Sequence, residues 1–190
     1  MMDSQQETEL IRRIIANDKQ LFSVLVDKYK YNVYGIFRGM GASHQDAQDL
    51  AQETFIRVYK YLPRHQEGNR FSAWVYTIAV NVMKDHVRKR RPIPAEMDGH
   101  AQESDPAATP EQHIIRKEMQ RDIYRYLNLL PDTYRLVLLL KYTNELSYEE
   151  IMEITGLSSI QVRNALHRGK KRLKKEMEKK GGLAHETFFQ

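Results

Sequence analysis

Six residues spaced along one stretch carry side chains that could read base-pair edges: Ser159, Arg163, Asn164, His167, Arg168 and Lys171. Arginine pairs in bidentate fashion with guanine and asparagine with adenine, so Arg163 and Asn164 have heads suited to a major groove. Lys170, Lys171, Lys174 and Lys175 suit phosphates, which set affinity and salt dependence without carrying sequence information. A second group combines Phe71, Trp74 and Tyr76 with Asn81, Lys84, Arg88 and the basic run 88–91. Aromatics interleaved with cations and an amide suit unpaired bases, which need stacking as well as charge neutralisation. Aromatics at helical spacing also serve as core, and for Trp74 both roles stay open. A third group, Asp46, Asp49, Gln52 and Glu53, lies in the early turns of a helical stretch. Acids there favour the helix dipole; they would equally serve as a docking surface for a basic partner.

Other chemistry finds little footing. The seven histidines, at 44, 65, 86, 100, 113, 167 and 185, show no metal-ligand spacing, and there are no cysteines for disulfides or thiolate sites. Gly39-Met40-Gly41 is too short for a phosphate-cradling loop. Neither catalysis nor a cofactor is expected.

The elements that position these groups read as helix throughout. Leu21, Leu25, Tyr29, Val33 and Phe37 recur at helical spacing, and Gly39 and Gly41 close that segment. Ser43 with Asp46 opens the next helix, whose stripe is Ala47, Leu50, Ala51, Thr54, Phe55, Val58 and Leu62, ending at Pro63. A further helix starts near Phe71 with Trp74, Ile78 and Val82 inward. Thr109-Pro110-Glu111-Gln112 and Ser147-Tyr148-Glu149-Glu150 are capping boxes, as is Ser158-Ser159-Ile160-Gln161. Between the last two, Gly156 is placed to end a short helix in a left-handed conformation. Residues 147–175 thus form a helix-turn-helix, with Ile151, Ile154, Val162, Leu166 and Leu173 inward.

Charge divides the chain in the same places. Residues 1–92 hold 15 basic and 10 acidic side chains, and residues 111–190 hold 15 and 11. Residues 93–110 hold four acids, no base, and little apolar periodicity. This predicts an all-α protein: a helical domain over 1–92, an acidic, flexible linker over 93–110, a second helical domain over 111–180 and a tail over 181–190. Two basic blocks suggest two surfaces for a polyanion, or two ordinarily solvated domains. The polar N-terminus lacks a signal-peptide core, and no run approaches the ~20 apolar residues that span a bilayer. A cytoplasmic protein with no membrane contact of its own is the expectation.

Three collinear motifs carry a resemblance. Asp46-Ala47-Gln48-Asp49-Leu50-Ala51-Gln52-Glu53-Thr54-Phe55-Ile56-Arg57-Val58-Tyr59 is similar to the core-polymerase-binding motif of extracytoplasmic-function (ECF, group IV) sigma factors of the sigma-70 family. Phe71-Ser72-Ala73-Trp74-Val75-Tyr76-Thr77-Ile78-Ala79-Val80-Asn81 resembles the start of their −10-reading helix. Leu130-Pro131-Asp132-Thr133-Tyr134-Arg135 and Leu146-Ser147-Tyr148-Glu149-Glu150-Ile151 resemble the entry to their −35-reading domain.

The resemblance implies that the domains are of the sigma-2 and sigma-4 kind. It also implies that Asp46, Asp49, Gln52 and Glu53 bind the clamp helices of the largest subunit of core RNA polymerase. By the same resemblance, the loop Pro63–Arg70 and the following helix capture a flipped base of the −10 element, with Asn81 at the reading position. The second helix of the helix-turn-helix would read the −35 element as duplex, and an anti-sigma factor would be a partner. The chain departs from the family at His65-Gln66-Glu67, where relatives often have Phe-Arg-Gly, and at Ile160-Gln161-Val162, where Gly-Thr-Val is frequent; Ala165 replaces a frequent base. Promoter preference therefore does not transfer. A conventional helix-turn-helix regulator would explain residues 147–175 as well, but not the mixed aromatic and basic group of the other domain.

Overall fold

The computed structural model describes residues 3–66, 70–89 and 123–179. All regular structure among these residues is helical, without strands. The expected linker, the Thr109 capping box, Arg90, Arg91 and the tail lie outside the described residues.

The first unit opens with α1 (Ser4–Ile15), an element not singled out above. Asp3 caps it, its Oδ1 accepting from the Gln5 and Gln6 N–H groups at 2.9 and 2.8 Å, while Gln6 accepts from the Asp3 N–H at 3.0 Å. After a 3₁₀ turn, α2 (Phe22–Gly39) buries Leu25, Tyr29, Val33, Ile36 and Phe37. Then α3 (His44–Tyr61) starts at Ser43, whose Oγ accepts from the Asp46 N–H at 3.1 Å and donates to the Asp46 carboxylate at 2.6 Å. Its buried stripe of Ala47, Leu50, Thr54, Phe55 and Val58 follows the expected spacing, and Leu62 is buried just beyond. Last in this unit is α4 (Phe71–Lys89).

The second unit holds helical backbone at 123–127, then α5 (Asp132–Leu138), which runs into a widened π turn at Leu139–Thr143. There follow α6 (Tyr148–Thr155) and α7 (Ser159–Lys179). The Ser147 Oγ accepts from the Glu150 N–H at 3.2 Å, and Glu150 Oε2 accepts from the Ser147 N–H at 2.7 Å, completing the expected box. Ser158 and Gln161 make the same exchange at 3.3 and 2.8 Å. Gly156 joins the helices at φ +75°, a left-handed conformation that penalises a Cβ. Val162, Leu166 and Leu173 face inward as expected, joined by Ala165, Gly169 and Met177.

The two units meet through residues whose joining role the sequence did not indicate. Helix α4 packs on α6, and the end of α2 packs on the π turn. Gly39 allows that approach: a Cβ there would lie 2.6 Å from both methyls of Leu139. Arg135 is 8% exposed and donates to the carbonyl oxygens of Met40 (3.0 Å), Asn128 (3.2 Å) and Leu130 (3.0 Å), and to Asn128 Oδ1 (3.1 Å). One guanidinium thus ties the second unit together and clips it to the end of α2. Burial lowers its pKa while Asp132, 3.4 Å from Nη2, opposes the shift; a guanidinium stays charged in proteins, and the carbonyls and this carboxylate partner its terminal nitrogens.

Candidate nucleic-acid and polymerase interfaces

The α7 surface follows from the phase of its buried seam. Arg163, Asn164, His167, Arg168 and Lys171 are exposed, and Ser159 is half-buried at the first turn. Arg163, Asn164, His167, Arg168 and Lys171 share the side away from α5, which packs on the buried side of α7, whereas Ser159, three residues before Val162, sits at the edge of the buried seam. One reciprocal cap, between Ser158 and Gln161, and the left-handed Gly156 before it fix the entry to α7, while the Ser147–Glu150 box fixes that of α6.

Helix α4 corrects part of the expectation. Phe71 and Tyr76, expected as stacking surfaces for bases, are only 4% and 2% exposed. Tyr29 makes edge-to-face contacts with both rings, and the Tyr76 hydroxyl accepts from Asn32 Nδ2 at 3.2 Å. Burial, the largest cause, pushes the Tyr76 phenol up to about 12 and raises that of Tyr29 further. The reason is that α4 packs against α2, α3 and α6 together, so its core face is broad rather than one stripe. Ala73, Val75, Ala79, Val80, Val82 and Met83 fill that face.

The expected inward stripe of Trp74, Ile78 and Val82 is correct only for Val82; Trp74 and Ile78 are half-buried. At 3.6 residues per turn, Trp74, Asn81, Lys84 and Arg88 fall on one side of α4. The last three are exposed. The Trp74 ring leans on His65 and Phe71, with centroids 5.0 and 5.6 Å away, leaving part of it open beside the loop that precedes α4. Arg88 donates to Asp85 at 3.0 Å.

On α3, Asp49 and Gln52 are exposed and Asp46 and Glu53 half-buried. Gln45 donates to Asp49 at 3.1 Å, and Asp46 is tied to Ser43. Glu53 accepts from Arg57 at 2.7 Å, and the same Arg57 donates to Asp85 of α4 at 3.0 Å. These bonds hold the Arg57 guanidinium above its ordinary pKa, and hydrogen bonding from Arg57 is the first cause that holds Asp85 below the usual carboxylate range. Gln52 of this polar row also lines a groove of about 510 Å³, together with Lys30 and the apolar Phe22, Val26, Ala51, Phe55, Ile56 and Tyr59. Ile56 is 56% exposed. The sequence carried a signal for it: Ile56 is an apolar residue standing off the buried stripe of its own helix. Among the described residues no group of three potential metal ligands exists, and no helix is long and apolar enough to cross a membrane.

Comparison with known proteins agrees with this geometry. The family model for Sigma-70 region 2 matches residues 25–93, and that for Sigma-70, region 4 matches residues 120–173. Two helical units with those matches define a sigma factor of the sigma-70 family. The relatives narrow this further. The chain is 34% identical over 177 residues to the ECF RNA polymerase sigma factor SigW of Bacillus subtilis, covering 88% of this chain and 94% of the relative. It is 30% identical over 187 residues to the RNA polymerase sigma-H factor of Pseudomonas aeruginosa, covering 94% and 97%. The chain belongs to the ECF sigma factors.

Two solved structures share the fold. CnrH, in complex with the cytosolic domain of CnrY, has a TM-score of 0.69 at 20% identity, covering 90% of this chain and 96% of that one. RpoE from Bartonella quintana, in complex with the anti-sigma factor NepR, has a TM-score of 0.67 at 19% identity, covering 83% and 96%.

Proposed function

We propose that this sigma factor seats on core RNA polymerase through the outer face of α3 and selects start sites by reading two promoter elements. Asp46, Asp49, Gln52 and Glu53 meet basic side chains of the polymerase, and the groove beside them takes apolar ones. Trp74 and Asn81 hold an unpaired base of the −10 element, with Lys84 and Arg88 on the backbone. Extruding a base costs a few kcal/mol, and an aromatic platform returns about 1–3 kcal/mol per stacked base. Helix α7 reads the −35 element in duplex form through Ser159, Arg163, Asn164, His167, Arg168 and Lys171.

In this reading the working units are 1–92 and 111–180, the segment 93–110 spans between them, and the role of 181–190 is open. The protein acts in the cytoplasm, requires no cofactor, performs no catalysis itself, and is held in check by an anti-sigma polypeptide. One observation carries the proposal beyond a generic DNA-binding protein: a half-open tryptophan shares a helix side with an exposed amide and two exposed cations, in a different unit from the helix-turn-helix. Duplex reading alone needs no such platform.

Run-off transcription with core polymerase and this protein, with start sites mapped, tests the reading. Addition of the protein creates a defined set of starts. Asp49→Lys removes binding to core while leaving the circular dichroism spectrum unchanged, since Asp49 is exposed. An Asp49→Lys protein that competes normally for core removes the α3 contact. A wild-type protein that binds promoter duplex unaided and never associates with core establishes a conventional regulator instead.

A further inference from the structure

We propose that Ile160 is a specificity-determining residue of α7, its side chain packing against the 5-methyl group of a thymine in the upstream promoter element. This rests on the reading of α7 as the duplex-facing helix and adds a contact of a different chemical kind.

The argument begins with exposure. Ile160 is 72% exposed, the highest value among the large hydrophobic side chains exposed in the described residues. Single apolar residues on a surface are common and need no explanation. Position is what separates this one. The buried seam of α7 is Val162, Ala165, Leu166, Gly169, Leu173 and Met177. At about 100° per residue, Ile160 falls on the side of the helix opposite that seam. Its neighbours at i+3, i+4, i+7 and i+11 are Arg163, Asn164, His167 and Lys171, all exposed. The isoleucine is therefore the apolar end of the same stripe that carries the polar base-reading heads.

Rigidity supports the same assignment. Ile160 lies inside the Ser158–Gln161 capping box, whose two hydrogen bonds span it. Its β-branched side chain is stiff at χ1. A residue so held offers a shaped surface rather than a mobile one.

The ligand chemistry follows from what a major groove displays. Donors and acceptors dominate every base edge, and the thymine methyl is the apolar group among them. An isoleucine between an arginine and an asparagine has one complementary partner in such a groove. It would reject cytosine at that position, which offers an amino group where thymine has its carbonyl and lacks the methyl.

The test uses the full-length protein with core polymerase on a mapped promoter fragment. Each thymine of the upstream element is replaced singly by uracil, which removes only the methyl. For the wild-type complex, one such replacement weakens binding about fourfold, the loss that one buried methyl-sized group gives. For Ile160→Ala and Ile160→Thr, which each keep only one methyl of the side chain, the penalty of the same replacement is smaller than in the wild type, and the preference for thymine over cytosine there falls. Both variants alter an exposed side chain, and the uracil series on the wild-type protein stands without them.

The inference is overturned if no uracil replacement weakens the wild-type complex, or if the loss is the same in both variants. It is also overturned if Ile160→Ala weakens association with core while leaving uracil sensitivity intact, since the side chain then packs against protein. If the upstream element is not protected in the wild-type complex, the duplex-reading role of α7 falls first, and that outcome is distinguished by footprinting before any substitution.

Discussion

Arg70, at the entry to α4, places Nη1 3.2 Å from both carboxylate oxygens of Glu150, eighty residues away at the start of the helix-turn-helix. The same carboxylate closes the Ser147 capping box, so one side chain both shapes α6 and joins the two units. The two roles have different weights. The Arg70 side chain is 65% exposed, so its ion pair is worth at most about 1 kcal/mol. Glutamine also serves at this capping position.

Glu150→Gln is therefore expected to stay within about 1 kcal/mol of wild type. Glu150→Ala, which loses the cap as well, costs about 1–2 kcal/mol. Urea unfolding of both variants and of Arg70→Ala separates the contributions; equal losses for all three would place the stabilisation in the ion pair.

The contact of Gly39 with Leu139 predicts a change of sign. Gly39→Ala puts a methyl 2.6 Å from two carbons of a side chain only 2% exposed, which costs about 1–3 kcal/mol as overpacking. Leu139→Ala alone costs about 2–5 kcal/mol through the void it leaves. In the Leu139→Ala background, Gly39→Ala becomes neutral or stabilising, since alanine is the better helix former by about 0.5–1 kcal/mol. Denaturation of the four proteins gives the coupling, and simple additivity would rule out the proposed packing.

Tyr29 and Tyr76 set the alkaline limit. Both phenols titrate higher in the fold than the value of about 10 they take when unfolded. The folded state then holds protons that the unfolded chain has released, so stability falls with pH. Their contribution is fully present below pH ~10 and is lost as pH rises through the folded value of Tyr76, about 12. Urea midpoints measured from pH 8 to 12 show this decline, and it is shallower in Tyr76→Phe and Tyr29→Phe. An unchanged slope in both variants would put the alkaline lability elsewhere.

On α7 the two kinds of cation separate by substitution. Arg163→Ala costs about 1–3 kcal/mol on the preferred promoter and relaxes one −35 position. Lys174→Ala weakens all sequences alike and lowers the salt slope by about 1. Binding to a panel of single-base promoter variants at several salt concentrations distinguishes them; equal losses on every promoter for both would refute the assignment.

What the sequence revealed is what local rules govern. Ser43, Ser147, Ser158 and Gly156 act within three or four residues of themselves, and each occupies the expected cap. The inward stripe of α7 was legible because that helix is buried on one side. Helix α4 was misread because it is buried broadly, and an aromatic spaced for stacking is also spaced for a core. Phe71 and Tyr76 went to the core and Trp74 stayed between. Helix α1 carries local signals of the same kind, the Asp3–Gln6 cap and the spacing of Leu10, Ile11 and Ile14, whereas Glu7 beneath Tyr29 and the anchoring of Arg135 on Met40 depend on partners distant in sequence, for which no periodicity exists.

The packing of α4 on α6 has a metric consequence. Elements named −10 and −35 lie about 25 base pairs apart, roughly 85 Å along straight duplex at about 34 Å per ten base pairs. Helix α7, at 21 residues, is about 31 Å long, and α4, at 19, is shorter still. Two rods of that size touching through a third helix cannot straddle such a length. Engagement of both sites on straight DNA therefore demands a longer-limbed shape of this polypeptide, in which the Gly39–Leu139 and Arg70–Glu150 joints have come apart.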